Sequence, residues 1–296
     1  MAENSRISWT HNSWNPWVGC DKVAPPCAHC YIHLDLRKHG RDPWGHLYRT
    51  TPSTWRNPLG WNRRLEGTGL LKRIFTCSDS DWFHAKADGW RSEAWNIVRD
   101  TPNLVYLILT KRPERILRSL PSDWGEGYPN VWLGTSVGCN MNLHNVDSLR
   151  RVPVHPQAVR FLSCEPLLED IADGLSLDGI GWLIAGGESG TLTKAQREQG
   201  MGEEYLWDAS ADWHKELTDA PGARRTMKLE WARRLLDRSR AAGVPFFFKQ
   251  ITAPRSEQGE DALGRIYHEF PAAYRGAWAP TRREQEALVQ IAGATR

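Results

Sequence analysis

The chain predicts an α/β fold built as an open, partial (β/α) TIM-like barrel of about six to seven parallel strands. Three observations carry this. Short apolar runs recur along the 296 residues. Segments able to hold a helix separate several of them, and polar, charged or glycine residues come after each run. The composition, 40% hydrophobic and 25% charged, is that of an ordinary globular protein. No apolar run nears the ~20 residues of a membrane span. The opening MAENSRISWTHNSW lacks a basic-then-apolar leader, so a cytoplasmic location is expected.

The runs are Arg73–Cys77 (RIFTC), Leu104–Thr110 (LVYLILT), Val131–Val137 (VWLGTSV), Val159–Cys164 (VRFLSC), Trp182–Ala185 (WLIA) and Val244–Lys249 (VPFFFK), with a further strand near Trp14–Val18. Each is nearly continuous in apolar or β-branched residues, as strands buried on both faces of a parallel sheet are. Helical segments fall at Ser92–Arg99, Pro113–Leu120, Asn142–Arg151 and Leu229–Ala242. The alternation implies right-handed crossovers within a single domain over 1–296. Residues 39–69, rich in Trp, Arg, Pro and Gly, read as a loop-rich segment. Residues 191–220 are polar with little periodicity and read as an insertion suited to a lid or partner contact. Residues 251–296 form a C-terminal extension, with a short polar helix expected from Thr281.

The residues at the strand ends point to a site. Cys77-Ser78-Asp79-Ser80-Asp81, Lys111-Arg112, Ser136 with Cys139 close behind, Ser163-Cys164-Glu165, Gly186-Gly187-Glu188-Ser189-Gly190 and Lys249-Gln250 all stand at carboxyl ends. Parallel α/β folds bind ligands there. Any strand must end in turn residues, but ionisable or glycine-rich groups at every end favour a site.

The strongest motif is Cys20-x6-Cys27-x2-Cys30. Cysteines in a cytosolic chain argue against a disulfide framework. Thiolates are soft ligands for iron–sulfur clusters and for zinc. Three close cysteines leave one iron of a [4Fe–4S] cluster open to an exogenous chelator, as S-adenosylmethionine (SAM) is in radical SAM enzymes. The other reading is structural zinc completed by His29 or His33, although zinc modules usually pair two short knuckles. Ser78, Asp79, Ser80 and Asp81 are candidates for holding the SAM amino group or ribose, or for an Asx-type turn capping the next helix. Gly186, Gly187 and Glu188 suit a close backbone approach and an ammonium or ribose contact. Lys111-Arg112 suits an anionic group. Cys77, Cys139 and Cys164 could share one cavity, even as a second cluster, while small-residue packing is the simpler reading.

Net charge is only +3, which does not mark a nucleic-acid binder. Arg224, Arg225, Lys228, Arg233, Arg234, Arg238 and Arg240 crowd one segment, either a solvated helix face or a phosphate-binding surface. Of the 16 tryptophans, most are expected to anchor the core, with a minority exposed as a stacking platform for a base.

Taken together, ISWTHNSWNPWVGCDKVAPPCAHCY, RIFTCSDSDWFH, LILTKRPER, NVWLGTSV, RFLSCEPLL, WLIAGGESG, PGARRTMKLEWARRL and AAGVPFFFKQ resemble the phage and bacterial three-cysteine-motif proteins. This radical-SAM-like family of largely unassigned function is distantly similar to spore photoproduct lyase. The matches cover most of Ile7–Gln250. The resemblance implies a partial TIM barrel of radical SAM type, a [4Fe–4S] cluster on Cys20, Cys27 and Cys30, and SAM. It puts Ser78, Ser80 and Asp81 in the SAM-binding loop. Ser136, Glu165, Glu188, Lys249 and Gln250 fall at later polar positions. Cys139, Lys111 and Lys249 are the candidate catalytic side chains. The chain departs from the pattern at Cys77, where Asn is expected. It departs again at Gly138-Cys139, where an acid is usual, and at the 191–220 insertion. The implied function is radical rearrangement of a modified nucleobase, a hypermodified thymine in phage DNA, with a base that must leave the stack. The alternatives are a thymine photolesion repair lyase and a non-catalytic zinc-binding adaptor. The implied partners are DNA or a nucleotide and an external one-electron reductant such as flavodoxin or ferredoxin, in the cytoplasm of a bacterial host.

Overall fold

Six of the apolar runs become strands of one sheet, whereas the strand expected near Trp14–Val18 forms earlier, at Asn12–Trp14, and Trp17–Val18 pairs antiparallel with Tyr48–Arg49 outside it. In the computed structural model, which describes residues 3–30, 32, 36, 40–41, 45–190, 204–205, 224–273, 276–282 and 284–285, the strands of the sheet are β1 (Asn12–Trp14), β2 (Leu70–Thr76), β3 (Leu104–Thr110), β4 (Val131–Ser136), β5 (Arg160–Cys164), β6 (Trp182–Gly186) and β7 (Phe246–Gln250). All seven are parallel and lie side by side in chain order. Sequential order without a reversal produces a curled half-barrel rather than a doubly wound sheet. The short strand β8 (Ala277–Trp278) adds to the start of β2.

Successive strand residues point to opposite faces, so each strand serves two cores. The outward face, including Ile74, Tyr106, Ile108, Leu133, Leu162 and Phe248, packs against helices α2 (Asp88–Arg99), α3 (His144–Arg150) and α4 (Leu229–Ala242) through residues such as Trp95, Leu149 and Leu235. The inward face is a separate, largely aromatic cluster of Phe75, Leu107, Trp132, Phe161, Trp182 and Phe247, closed by Trp9 from the N-terminal arm and by Phe270 and Trp278 from the C-terminal segment. Gly134 makes room for it. A Cβ there would stand 2.4 Å from the Phe161 ring. Arg73, also inward and 2% exposed, stacks under Phe270 and Trp278 at 3.8 and 4.8 Å. Its backbone N–H donates to His11 Nδ1 at 2.9 Å, which leaves Nε2–H to donate to Ala279 O at 2.7 Å. Burial and Arg73 lower the His11 pKa to about 3, so the imidazole is neutral.

The structure corrects several expectations. The 39–69 segment contains a 12-residue helix, α1 (Pro52–Arg63), capped by Thr51 and started by Pro52. Pro58 inside it obscures the helical pattern. The helix expected at Pro113–Leu120 is two single 3₁₀ turns. Among the described residues no tryptophan is exposed, and Trp14, Trp17, Trp82, Trp95, Trp132 and Trp182 are fully buried. Four of these indoles meet backbone carbonyls, Trp14 at Thr54 O (3.1 Å), Trp17 at Asp81 O (3.2 Å), Trp95 at Ser119 O (3.1 Å) and Trp182 at Glu269 O (2.9 Å). This satisfies the one polar atom of a large apolar side chain. Trp44, the 191–220 segment apart from 204–205, and most of the tail after Thr281 lie outside the described residues. No helix among the described residues is long and apolar enough to cross a membrane.

Candidate active site at the carboxyl ends of the half-barrel

The carboxyl ends of the strands surround a cavity of about 510 Å³. The cysteine loop leaves β1 and turns at Gly19, whose φ of +101° and approach to His46 O leave no room for a Cβ. Gly19 N donates to Asp79 O at 3.0 Å, and Ser80 Oγ donates to Gly19 O at 2.5 Å. Pro25 and Pro26 then start a single 3₁₀ turn that ends at Cys27. Cys20, Cys27 and Cys30 all line the cavity, Cys27 buried and the other two half-buried. Burial pushes the Cys20 thiol up to about 12 and raises that of Cys30.

Two buried ion pairs hold this loop from opposite sides. On one side stands Asp81, 4% exposed. It accepts from Thr110 Oγ1 at 2.7 Å, Lys111 N at 3.0 Å and Phe83 N at 2.9 Å, and pairs with Arg112 at 3.2 Å. Burial alone would raise its pKa, but Arg112 and these donors hold it below the usual carboxylate range. Arg112 reaches on to Asp21 O at 2.8 Å and Cys20 Sγ at 3.6 Å. On the other side, Glu188 accepts from Arg225 N at 2.8 Å and Arg225 Nε at 3.1 Å and bonds His29 Nδ1 at 3.0 Å, while Arg225 also donates to Pro25 O at 2.8 Å. Burial opposes ionisation of Glu188 too, yet His29 and Arg225 bring its pKa down to about 2. Asn15 hooks the 78–79 loop to β1, donating to Ser78 Oγ and Asp79 Oδ2 at 2.8 Å each and accepting from Asp79 N at 3.1 Å.

The opposite wall is built by later strands. Ser136, Ser163 and Glu165 face inward with Lys249. Lys249 Nζ donates to Glu165 Oε1 at 2.5 Å, and Gln250 Nε2 braces the same oxygen at 3.3 Å and Gly187 O at 2.8 Å. Lys111 lines the cavity as well. Burial pulls its pKa down, but the field of Cys27, Cys30, Asp81 and Cys20 outweighs this and raises it. Ile7, Trp9, Phe75 and Leu109 give the cavity an apolar wall.

Of the residues expected from sequence, Cys20, Cys27, Cys30, Ser78, Asp79, Ser80, Asp81, Lys111, Ser136, Glu165, Gly187, Glu188 and Lys249 meet at this cavity. Gly186 and Cys139 are not in the lining. Cys139 hydrogen-bonds Asn142 Oδ1 at 3.0 Å and packs, fully buried, against Leu168. The turn at Gly138, within 2.2 Å of Pro166 O for a Cβ, carries it away. Cys164 faces the helix layer, because its neighbours Ser163 and Glu165 face inward; of these three extra cysteines only Cys77 reaches the cavity. At Gly187 a Cβ would stand 2.2 Å from Thr252 N, so the packing against Thr252 by itself requires glycine there. Of the residues expected as a phosphate surface, four bond within the fold: Arg225 to Glu188, Arg234 to Asp170 and Asp173, Arg238 to Leu175 O and Arg240 to Glu269, while Lys228 and Arg233 are exposed. Sequence reasoning missed Asn15 and the Glu188–Arg225 pair. Asn15, polar within an otherwise aromatic strand end, was a legible signal. The pairing of residues 37 apart was not.

Among the described residues, no three His, Cys, Asp or Glu side chains converge on one point as a single metal ion requires. A cubane cluster instead takes one thiolate at each of several corners, and the three soft sulfurs around one cavity fit that demand. His33, the other proposed zinc ligand, lies outside the described residues.

A family profile described as "Protein of unknown function (DUF5131)" matches residues 4–204. No curated protein shows significant sequence similarity. Among solved structures, a mutant spore photoproduct lyase with bound AdoMet and dinucleoside spore photoproduct aligns with a TM-score of 0.44 and 12% identity, over 66% of this chain and 61% of that one. A second mutant of the lyase gives 0.46 and 14%, over 80% and 74%. A third gives 0.44 and 12%, over 74% and 77%. The chain thus spans less than two thirds of the length of the first of these, and likeness at this level carries no functional inference.

Proposed function

The chain belongs to the DUF5131 family of unknown function, and we propose that it is a radical SAM enzyme acting on a nucleobase, a modified thymine of phage DNA being the substrate that fits the sequence resemblance. The observation supporting this reading is the meeting of Cys20, Cys27 and Cys30 with the Ser78–Asp81 loop on one cavity at the carboxyl ends of a parallel half-barrel. When bound, a [4Fe–4S] cluster with SAM on its open iron supplies a 5′-deoxyadenosyl radical by one-electron cleavage of the sulfonium. Cys20, Cys27 and Cys30 would hold the cluster. Ser78 and Asp79, fixed by Asn15, would meet the amino group or ribose of SAM, and Lys111 its carboxylate. The apolar wall of Trp9, Phe75 and Leu109 keeps water from a radical centre. The Lys249–Glu165 pair offers a substrate a donor beside an acceptor. Because Arg234, Arg238 and Arg240 of α4 bond within the fold, recognition of DNA would rest chiefly on an extruded base in the cavity rather than on a basic face.

Anaerobic reconstitution followed by EPR of the reduced protein with and without SAM tests this. A [4Fe–4S] signal that changes shape with SAM, and 5′-deoxyadenosine release stimulated by DNA or modified nucleosides, are expected. Stoichiometric zinc with no iron–sulfur signal would overturn the radical SAM reading and leave an adaptor. A SAM-responsive cluster whose 5′-deoxyadenosine release never responds to DNA, nucleosides or bases would sink the substrate assignment.

A further inference from the structure

We propose that Arg112 is a positioning residue for Cys20 that raises the reduction potential of the cluster. This rests on the cluster reading above. Arg112 stands two residues beyond the end of β3 and is 6% exposed. Its guanidinium is held on two sides, by Asp81 Oδ2 at 3.2 Å and by Asp21 O at 2.8 Å, and a remaining N–H of Nη1 points at Cys20 Sγ at 3.6 Å. Asp81 is itself fixed by Thr110, Lys111 N and Phe83 N. The fork therefore cannot follow Cys20 or swing to solvent without breaking contacts on both flanks. The backbone of Asp21 and the sulfur of Cys20 are gripped by one rigid plane, which a lysine cannot reproduce.

The electrostatic consequence has a definite sign. When the cluster accepts one electron from a reductant, no bond is made or broken, and the added negative charge spreads onto its thiolate sulfurs. A cationic hydrogen-bond donor buried against one sulfur stabilises the reduced state more than the oxidised state. Asp81 opposes this with its own charge but makes no hydrogen bond to the sulfur. The net effect of Arg112 is to make the cluster easier to reduce.

The test is the midpoint potential from an EPR-monitored dithionite titration of reconstituted wild type, Arg112→Gln and Arg112→Lys, alongside iron and sulfide content and the melting temperature of each. Arg112→Gln removes the charge, and its reduction equilibrium should fall roughly tenfold, a midpoint lower by about 59 mV for one electron. Arg112→Lys keeps the charge without the fork and should fall by less. Variants that hold wild-type iron with an unmoved midpoint would overturn the inference while leaving the cluster intact. Loss of iron from both variants at an unchanged melting temperature would also overturn it, since Arg112 would then be needed to hold the cluster rather than to tune it. Wild type that takes up no iron and sulfide would refute the cluster reading itself, and the inference with it.

Discussion

Glu257 adopts the left-handed region at φ +64°, next to the wall formed by Lys249 and Glu165. One carboxylate oxygen accepts from Ser8 N at 3.4 Å, while the other is buried without a hydrogen-bond partner. Burial, only partly opposed by Lys249, raises its pKa from 4.5 to about 7. A raised carboxylate stabilises the fold while protonated. That contribution is whole below pH 4.5 and is lost as pH rises through 7. Melting temperatures of wild type and Glu257→Gln between pH 5 and 8 should therefore diverge, with the Gln variant gaining on wild type as pH rises; parallel curves would contradict the shift. Among the cysteines, position decides role. Substituting Cys20, Cys27 or Cys30 by Ala should abolish iron uptake on reconstitution, while Cys164→Ala, facing the helix layer, should keep it and cost about 1 kcal/mol of stability through a small cavity.

At the scale of elements, the cysteine loop is strapped between strand ends rather than stabilised by its own packing. Arg225 is fully buried and Glu188 nearly so. Arg225→Met strips the guanidinium from buried Glu188, leaving it only His29 and the backbone N–H of residue 225, and should cost about 3 kcal/mol in chemical denaturation. The same change at Arg240, 44% exposed in its pair with Glu269, should cost about 1 kcal/mol or less. A similar contrast holds inside the barrel. Gly134→Ala collides with Phe161 and should cost roughly 1–3 kcal/mol, and pairing it with Phe161→Leu should recover part of that loss in a double-mutant cycle. The strands were legible because β2 to β7 are buried on both faces, so their sequences are continuous apolar runs. Helix α4 was legible from its 3.6-residue periodicity, with Gly243 closing it at φ +64°. Helix α1 was not, because Trp, Pro and Gly within it weaken the pattern while tertiary contacts with Trp14 and Trp17 stabilise it.

At the scale of the whole molecule, the half-barrel has two ends with different work. The C-terminal segment plugs the interior with Phe270 and Trp278 stacked on Arg73. The carboxyl ends carry nearly all the ionisable groups of the candidate site. The arginine-rich helix lies outside both and serves as a brace against residues 170–175 and 269. Arg234→Gln and Arg238→Gln should therefore leave DNA affinity and its salt dependence unchanged when tracked by fluorescence anisotropy. A slope of log K against log salt that falls by about one for each arginine removed would show that they contact phosphates after all.

The chain by itself determined the class of fold, the order of strands and the cysteine spacing, because apolar continuity and short-range spacing are local properties of a sequence. It also marked most of the residues that surround the cavity, since parallel strands bring their carboxyl ends to one edge wherever they start. Only the tertiary structure decided which way each side chain turns and what it meets there. Glu188, read in sequence as a ligand contact, pairs with Arg225 and His29 at the cavity wall, the turn at Gly138 carries Cys139 away, and Cys164, one step out of phase, leaves the cavity that Cys77 reaches. Arg112 reads in sequence as half of a basic pair suited to an anionic group; folding sets it between Asp81 and Cys20, 92 residues away. A pairing between distant positions leaves no trace in either local pattern. It is fixed by where the strands end in space and by the need to neutralise charge once water is excluded.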